Sequence, residues 1–256
     1  MAGGKVKDAS NELTEVVEYV KTTSTPSFVQ LPSKRNHAVG AMFDNAPIIC
    51  GGYDPGYHGP SKFLDECISY QDSKWIQSHT MGKRREKLAG VQINTTTFWI
   101  LGGYSKSSYY VPDGSFLSST EFIIQNKTNG VPGPELPYEL RAMCAVKLSE
   151  NEIFVIGGFG GGYRNEVWIY DPQNGFARTQ GPSLTTARDS HSCSTMRYGD
   201  KTVIIVAGGF TNGGVGLDSV EIYDPTDNTW HSGKNKFQSA IKYLPIISNI
   251  FKLKKF

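Results

Sequence analysis

Thr202–Trp230 reads TVIIVAGGFTNGGVGLDSVEIYDPTDNTW, and this stretch decides the fold. A β-branched run, Val203–Val206, ends at Gly208-Gly209. A glycine-rich loop follows, then a second alternating run over Ser219–Tyr223, the turn Asp224-Pro225-Thr226-Asp227-Asn228, and Trp230. Val, Ile and Tyr at period two predict strands, and Asp-Pro with Asn predicts a turn. Paired glycines at a strand end suit a place where a Cβ would meet neighbouring backbone or a positive φ is needed.

The unit recurs. Double glycines stand at Gly51-Gly52, Gly102-Gly103, Gly157-Gly158 and Gly208-Gly209, spaced by 51, 55 and 51 residues, and Tyr53, Tyr104, Phe159 and Phe210 follow them. Upstream of each lies an arginine motif: RNHAVG from Arg35, REKLAG from Arg85, RAMCAV from Arg141 and RDSHSC from Arg188. Downstream, ECISYQDSKW, TEFIIQNKTNG, EVWIYDPQNGF and SVEIYDPTDNTW repeat the second run and its turn. Three markers in one order, four times, at a period near 50, predict an array of four-stranded units.

The double glycine with its aromatic, then Tyr-Asp-Pro and a closing Trp, resembles the kelch repeat. The resemblance covers about residues 32–232 and implies an all-β, kelch-type β-propeller. Four blades are expected at 32–77, 78–133, 134–180 and 181–232, together making most of a propeller over 13–236. Tyr70, Tyr170 and Tyr223 with Trp75 and Trp230 are its structural residues. Phe176 stands where the third unit should have Trp, and the second has Ile124 at the tyrosine position, so its outer strand is the weakest.

Both flanks bear on closure. Thr14-Glu15 before Leu31-Pro32 matches the spacing of Thr120-Glu121 before Leu136-Pro137, so Glu15–Phe28 reads as the outer strands of a partial fifth blade over 13–31. A helix competes there, through Leu13, Val16, Val17 and Val20, but three valines favour strand. Residues 1–12 are expected to be disordered. The tail 237–256 is either inner strands of that blade or lies outside it, and an incomplete propeller would be open to self-association.

The net charge is +2, which points to neither nucleic acid nor an acidic membrane surface. The first thirty residues lack the apolar core of a signal peptide, and no run reaches transmembrane length. Cys50, Cys67, Cys144 and Cys193 are scattered and form no CxxC, so they read as small buried hydrophobes in a reducing, cytoplasmic setting. Sequons at Asn94-Thr-Thr and Asn126-Lys-Thr matter only in a secreted chain, and read as chance.

Candidate chemistry sits at two places. Arg35, Arg85, Arg141 and Arg188 share one register, which in a propeller encircles a channel mouth. Guanidinium forks there would grip carboxylates, as arginines of kelch adaptors hold acidic peptides; the alternative is that each braces its own loop. The loops after the double glycines vary and carry Tyr53, Tyr57, His58, Tyr104, Tyr109, Arg164 and Asn212, residue types suited to adaptable contact surfaces. The five histidines show no HxH or HExxH spacing, and no phosphate-binding GxxxxGK motif occurs. No catalytic set, metal or cofactor is therefore expected. The resemblance implies a module that binds a protein or acidic peptide, with substrate recognition for a ubiquitin ligase as one form of it. The rival is a kelch-type oxidase or sugar-modifying enzyme acting at the channel mouth.

Overall fold

The computed structural model describes residues 2–5, 12–16, 29–43, 46–56, 62–106 and 114–233, the first two stretches and 29–30 as backbone only. The described residues are strands, turns and two single-turn 3-10 segments. No described helix is long and apolar enough to cross a membrane. By their contacts the residues form two compact units, 1–141 and 142–256.

In the first unit, Val39–Phe43, Ala46–Cys50, Glu66–Gln71 and Lys74–Thr80 make the first antiparallel blade. Its outer strand runs past the expected boundary at 77. Ala89–Asn94, Thr97–Leu101, Thr120–Ile124 and Val131–Pro132 make the second. That last strand is two residues long, because Pro132 has no N–H to donate to a longer ladder. In the second unit, Cys144–Ser149, Glu152–Phe159, Tyr163–Asp171 and Ala177–Gln180 form the third blade. The fourth is Ser192–Tyr198, Lys201–Ala207, Val220–Asp224 and Thr229–Ser232.

The second strand of each blade is the apolar run read from the sequence. Phe98, Trp99, Ile100 and Leu101 are buried, as are Ile153–Ile156 and Val203–Val206. Strands buried on both faces lose the usual polar alternation. One core joins Phe43, Ile48, Met81, Leu88, Phe98, Ile100 and Ile123 in the first unit. Another joins Phe154, Ile156, Val167, Leu184, Ile204 and Val206 in the second. The Tyr and Trp of the repeat face each other across the closing turn: Tyr70 is the register partner of Trp75 and Tyr223 of Trp230, with ring centroids 5.4 Å apart in both. Trp230 also donates from Nε1 to the Pro182 carbonyl at 2.8 Å. Phe176, at φ +59°, sits in the turn before the third blade's outer strand.

Two expectations are corrected. Ala2–Lys5 is not disordered but a strand paired with Glu12–Val16, whose other neighbour is Val29–Gln30; pairing satisfies its backbone groups. Glu12–Val16 is thus strand, not helix. The tail 237–256 lies outside the described residues. Nor are the cysteines free hydrophobes: Cys50 is bonded to Cys67 and Cys144 to Cys193. Cys50 and Cys67 are register partners on adjacent strands, and Cys144 and Cys193 join the innermost strands of neighbouring blades. Scatter in the sequence hid both, since a blade brings residues 17 and 49 positions apart side by side.

Candidate functional site

At the first three double glycines the loop leading into the next blade crosses the backbone. Gly52 N–H donates to the Arg85 carbonyl at 2.9 Å, and Gly158 N–H to that of Arg188 at 2.8 Å. A Cβ on Gly157, whose φ is +57°, would lie 2.7 Å from the Arg188 carbonyl oxygen, so only glycine fits.

Three of the four arginines are spent inside their own units. Arg35, Arg85 and Arg188 are almost wholly buried, and their guanidinium groups are already engaged. Arg85 donates to the Gly102 and Ser119 carbonyls at 2.8 and 2.9 Å and pairs with Glu121 at 2.5 Å. Arg188 donates to the Gly208 carbonyl at 3.0 Å and pairs with Glu221 at 2.8 Å. Arg35 reaches the Gly51 carbonyl at 3.4 Å and Glu66 at 2.6 Å. Burial pulls all three guanidinium pKa values down, and the facing glutamates offset that only in part. A charge taken out of water must be paired, so these residues brace their loops and offer nothing to a peptide.

Arg141 is one residue out of that register. The slot of Arg85 and Arg188 is held by Leu140: its carbonyl accepts from Gly103 N–H at 2.8 Å, and its N–H donates to Leu117 as that of Arg85 does to Leu64. Arg141 instead lies over the rings of Phe116 and Tyr104, 5.0 and 5.8 Å from their centroids. The glutamates were missed in the sequence although each downstream run contains one, Glu66, Glu121, Glu166 and Glu221. Glu166 accepts from Arg164, which also bonds the Gly160 carbonyl.

The aromatic after each glycine pair is the base of a small hairpin. Tyr53–Asp54 pairs with Lys62–Phe63, Tyr104–Ser105 with Ser115–Phe116, and Phe210–Thr211 with Val215–Gly216. In the first unit these bases join into one row. Tyr53 meets Phe63 at 5.3 Å, Phe63 meets Tyr104 at 5.8 Å, and Tyr104 meets Phe116 at 5.9 Å between centroids. Tyr53, Tyr104, Phe116 and Arg141 are half-buried, with Phe63 buried among them. Beneath the row, Glu86 N–H donates to the Tyr104 carbonyl at 2.9 Å, and His37 Nδ1 lies 3.2 Å from the Glu86 carboxylate. Phe63 and Phe116 escaped the sequence reading, yet Phe-Leu recurs at 63–64 and 116–117, just before the third strand.

The second unit has the same hairpins with less on them. Phe159 meets Tyr163 edge-on at 5.3 Å, beyond which stand Gly160–Gly162, and Asn212 is exposed on a glycine turn. Tyr57, His58 and Tyr109 lie outside the described residues.

Two other features carry charge. Asp224, Asp227 and His231 gather at the last turn, but they are spent on the turn itself: Asp227 accepts from Thr229 and pairs with His231 at 2.7 Å, and Asp224 is bridged by Lys201. A shallow depression of about 720 Å³ at one end of the third blade is lined by Glu150, Glu152 and Asp171, and Lys147 covers Glu150. His191 is buried beside Arg188, its ring close to the Ile156 and Arg188 backbone. Burial, then the Arg188 charge, lowers its pKa to about 3, so it is neutral.

Comparison with known proteins agrees with this geometry. The profile of the kelch motif matches residues 140–175 and 200–236. No curated protein sequence matches the chain. Among solved structures, that of YjhT superposes with a TM-score of 0.72 at 13% identity, over 87% of this chain and 78% of that one. At that identity the likeness bears on fold alone. The chain carries kelch repeats, and its fold is all-β and of the kelch-type β-propeller class.

Proposed function

We propose that this kelch-repeat chain is a protein-interaction module whose contact surface is the aromatic row Tyr53, Phe63, Tyr104 and Phe116, ended by Arg141. Kelch repeats are commonly interaction modules. The observation that carries the reading here is the row itself, three half-buried rings joined through the buried Phe63 in continuous contact across two blades and held from below by hairpin backbone. Tyr, Phe and Arg are the residues that anchor protein interfaces, because they bury much area at little cost in side-chain freedom. Rings fixed by strands keep that cost low before a partner arrives. The partner is a protein segment or peptide. An acidic one is favoured by the cation at the end of the row, in place of the arginine ring expected from the sequence. Binding rather than catalysis is the role assigned, since the polar groups near the row are engaged with one another.

Selection from a displayed library of random peptides tests this. Peptides enriched on the wild-type chain should bind Phe116→Ala at least about tenfold more weakly, the loss of one anchor. Gly162→Ala should bind them as wild type does, and both variants should melt like the parent. Equal binding by wild type and Phe116→Ala would overturn the proposal.

A further inference from the structure

We infer that Asn94 and Asn126 are N-glycan acceptors, in a chain whose four cysteines are oxidised in a secretory compartment. Three independent features of the molecule meet here. First, every cysteine of the sequence is in a disulfide, Cys50–Cys67 within the first blade and Cys144–Cys193 between the third and fourth. All four are buried, and such pairs persist where the surroundings are oxidising. Compartments of that kind are also where Asn-X-Thr is read as an acceptor.

Second, both sequons are exposed at hairpin ends, Asn94 as the last residue of its strand and Asn126 in a turn, away from the sheet interior where a glycan would collide. Asn94 is exposed at the turn joining Ala89–Asn94 to Thr97–Leu101, and Asn126 at the turn joining Thr120–Ile124 to Val131–Pro132. At Asn94 the sequon is closed on itself. Its Oδ1 accepts from both the N–H and the hydroxyl of Thr96, at 2.9 and 3.0 Å, while Nδ2 takes no part in these bonds. The amide nitrogen that would carry the sugar is thus left for solvent, with the sequon threonine holding the other end of the amide.

Third, the two turns share one end of one sheet. Thr97 pairs with Ile124 at that end and Leu101 with Thr120 at the other, and Gln125 N–H bonds the Thr96 carbonyl at 2.9 Å to tie the turns together. Gly102-Gly103, Tyr104 and Phe116 follow from the opposite end. Both glycans would therefore shield the far end of the second blade and leave the aromatic row open.

The chemistry closes without a missing reactant. Nδ2 attacks the anomeric carbon of a lipid-pyrophosphate-linked oligosaccharide; the N–C bond forms, the C–O bond to pyrophosphate breaks, and its electron pair leaves with the lipid pyrophosphate. The amide proton passes to a carboxylate base of the transferase. Each cysteine pair gives two protons and two electrons to an oxidised dithiol oxidoreductase, whose own disulfide is reduced.

The experiment uses the native chain, alkylated without reduction and digested with peptide N-glycosidase in heavy-oxygen water. Peptides holding Asn94 and Asn126 should each return labelled aspartate, and all four cysteines should resist alkylation until reduced. In the chain secreted from eukaryotic cells, Asn94→Gln and Asn126→Gln should each remove the mass of one glycan. Thr96→Ala should do as Asn94→Gln does while keeping the asparagine. Unmodified asparagine at both positions, or cysteines alkylated without reduction, would overturn the inference.

Discussion

Residues 1–141 and 142–256 each contain a buried arginine–glutamate brace and differ in what stands above it. In the first unit Arg85 meets Glu121, and Glu121 also accepts from Gly82 N–H at 2.6 Å. In the second Arg188 meets Glu221, which accepts from Thr185 and Thr186 N–H at 2.7 and 3.2 Å. The same carboxylate thus pairs an arginine from one loop and fixes backbone in that loop. Above the brace the first unit carries four rings and Arg141 on its hairpins, the second glycine turns. Buried charge tolerates little variation, because each unpaired partner is costly, whereas a hairpin tip in water accepts almost any side chain. The shared part is the brace, and the part that differs is where recognition is free to develop.

The comparison breaks most sharply at the glutamates. Removing one member of a fully buried pair typically costs about 3–5 kcal/mol, so Glu121→Ala and Glu221→Ala should each fall in that range by chemical denaturation. Glu66 is 27% exposed in its side chain and bonds only its arginine, so Glu66→Ala should cost less, about 1.5–3 kcal/mol. Equal losses at all three would mean that the extra backbone bonds of Glu121 and Glu221 contribute nothing.

His191 offers a second, smaller difference. At the equivalent position of the first two blades stand Ala38 and Leu88, each against the second glycine of a pair as His191 is against Gly209. Its folded pKa is depressed, from 6.5 to about 3. As the pH falls below 6.5 the unfolded chain therefore takes up the proton first, and stability is lost by about 1.4 kcal/mol per pH unit. His191→Leu should remove about 2 kcal/mol of the loss between pH 6.5 and pH 5, read as a flatter melting temperature against pH. An unchanged slope would show that the ring is not held neutral.

Much of this was legible in the sequence where backbone sterics dictate residue type. Gly157 could be found because nothing with a Cβ fits beside the Arg188 carbonyl, and Tyr223 with Trp230 because a tight turn sets them face to face. What escaped depends on contacts between distant segments. Glu121 lies 36 residues after Arg85, and Glu66 31 after Arg35, a drift that hides a pair from any fixed spacing. Arg141 was misread because it stands next to the slot, which Leu140 fills. The aromatic row was half legible: Tyr53 and Tyr104 follow the glycines, but Phe63 and Phe116 return to them across hairpins of differing length.

The smallest effect expected lies at the tips. Gly162 has no atom within 4 Å of where a Cβ would stand and no positive φ, so Gly162→Ala should change stability by no more than about 0.5 kcal/mol in a thermal melt. A larger change would mean that the second unit's turns are more constrained than their glycines suggest.

The carboxylates that reach into the loops also set a clock. Gly82, Thr185 and Thr186 lie between sheets, where amides usually trade their hydrogens with water quickly. Held by Glu121 or Glu221, their N–H groups should exchange only when the whole unit opens, at rates matching the central strands. Amide exchange followed by mass spectrometry would then show slow islands in segments that, by secondary structure alone, ought to be the fastest in the chain.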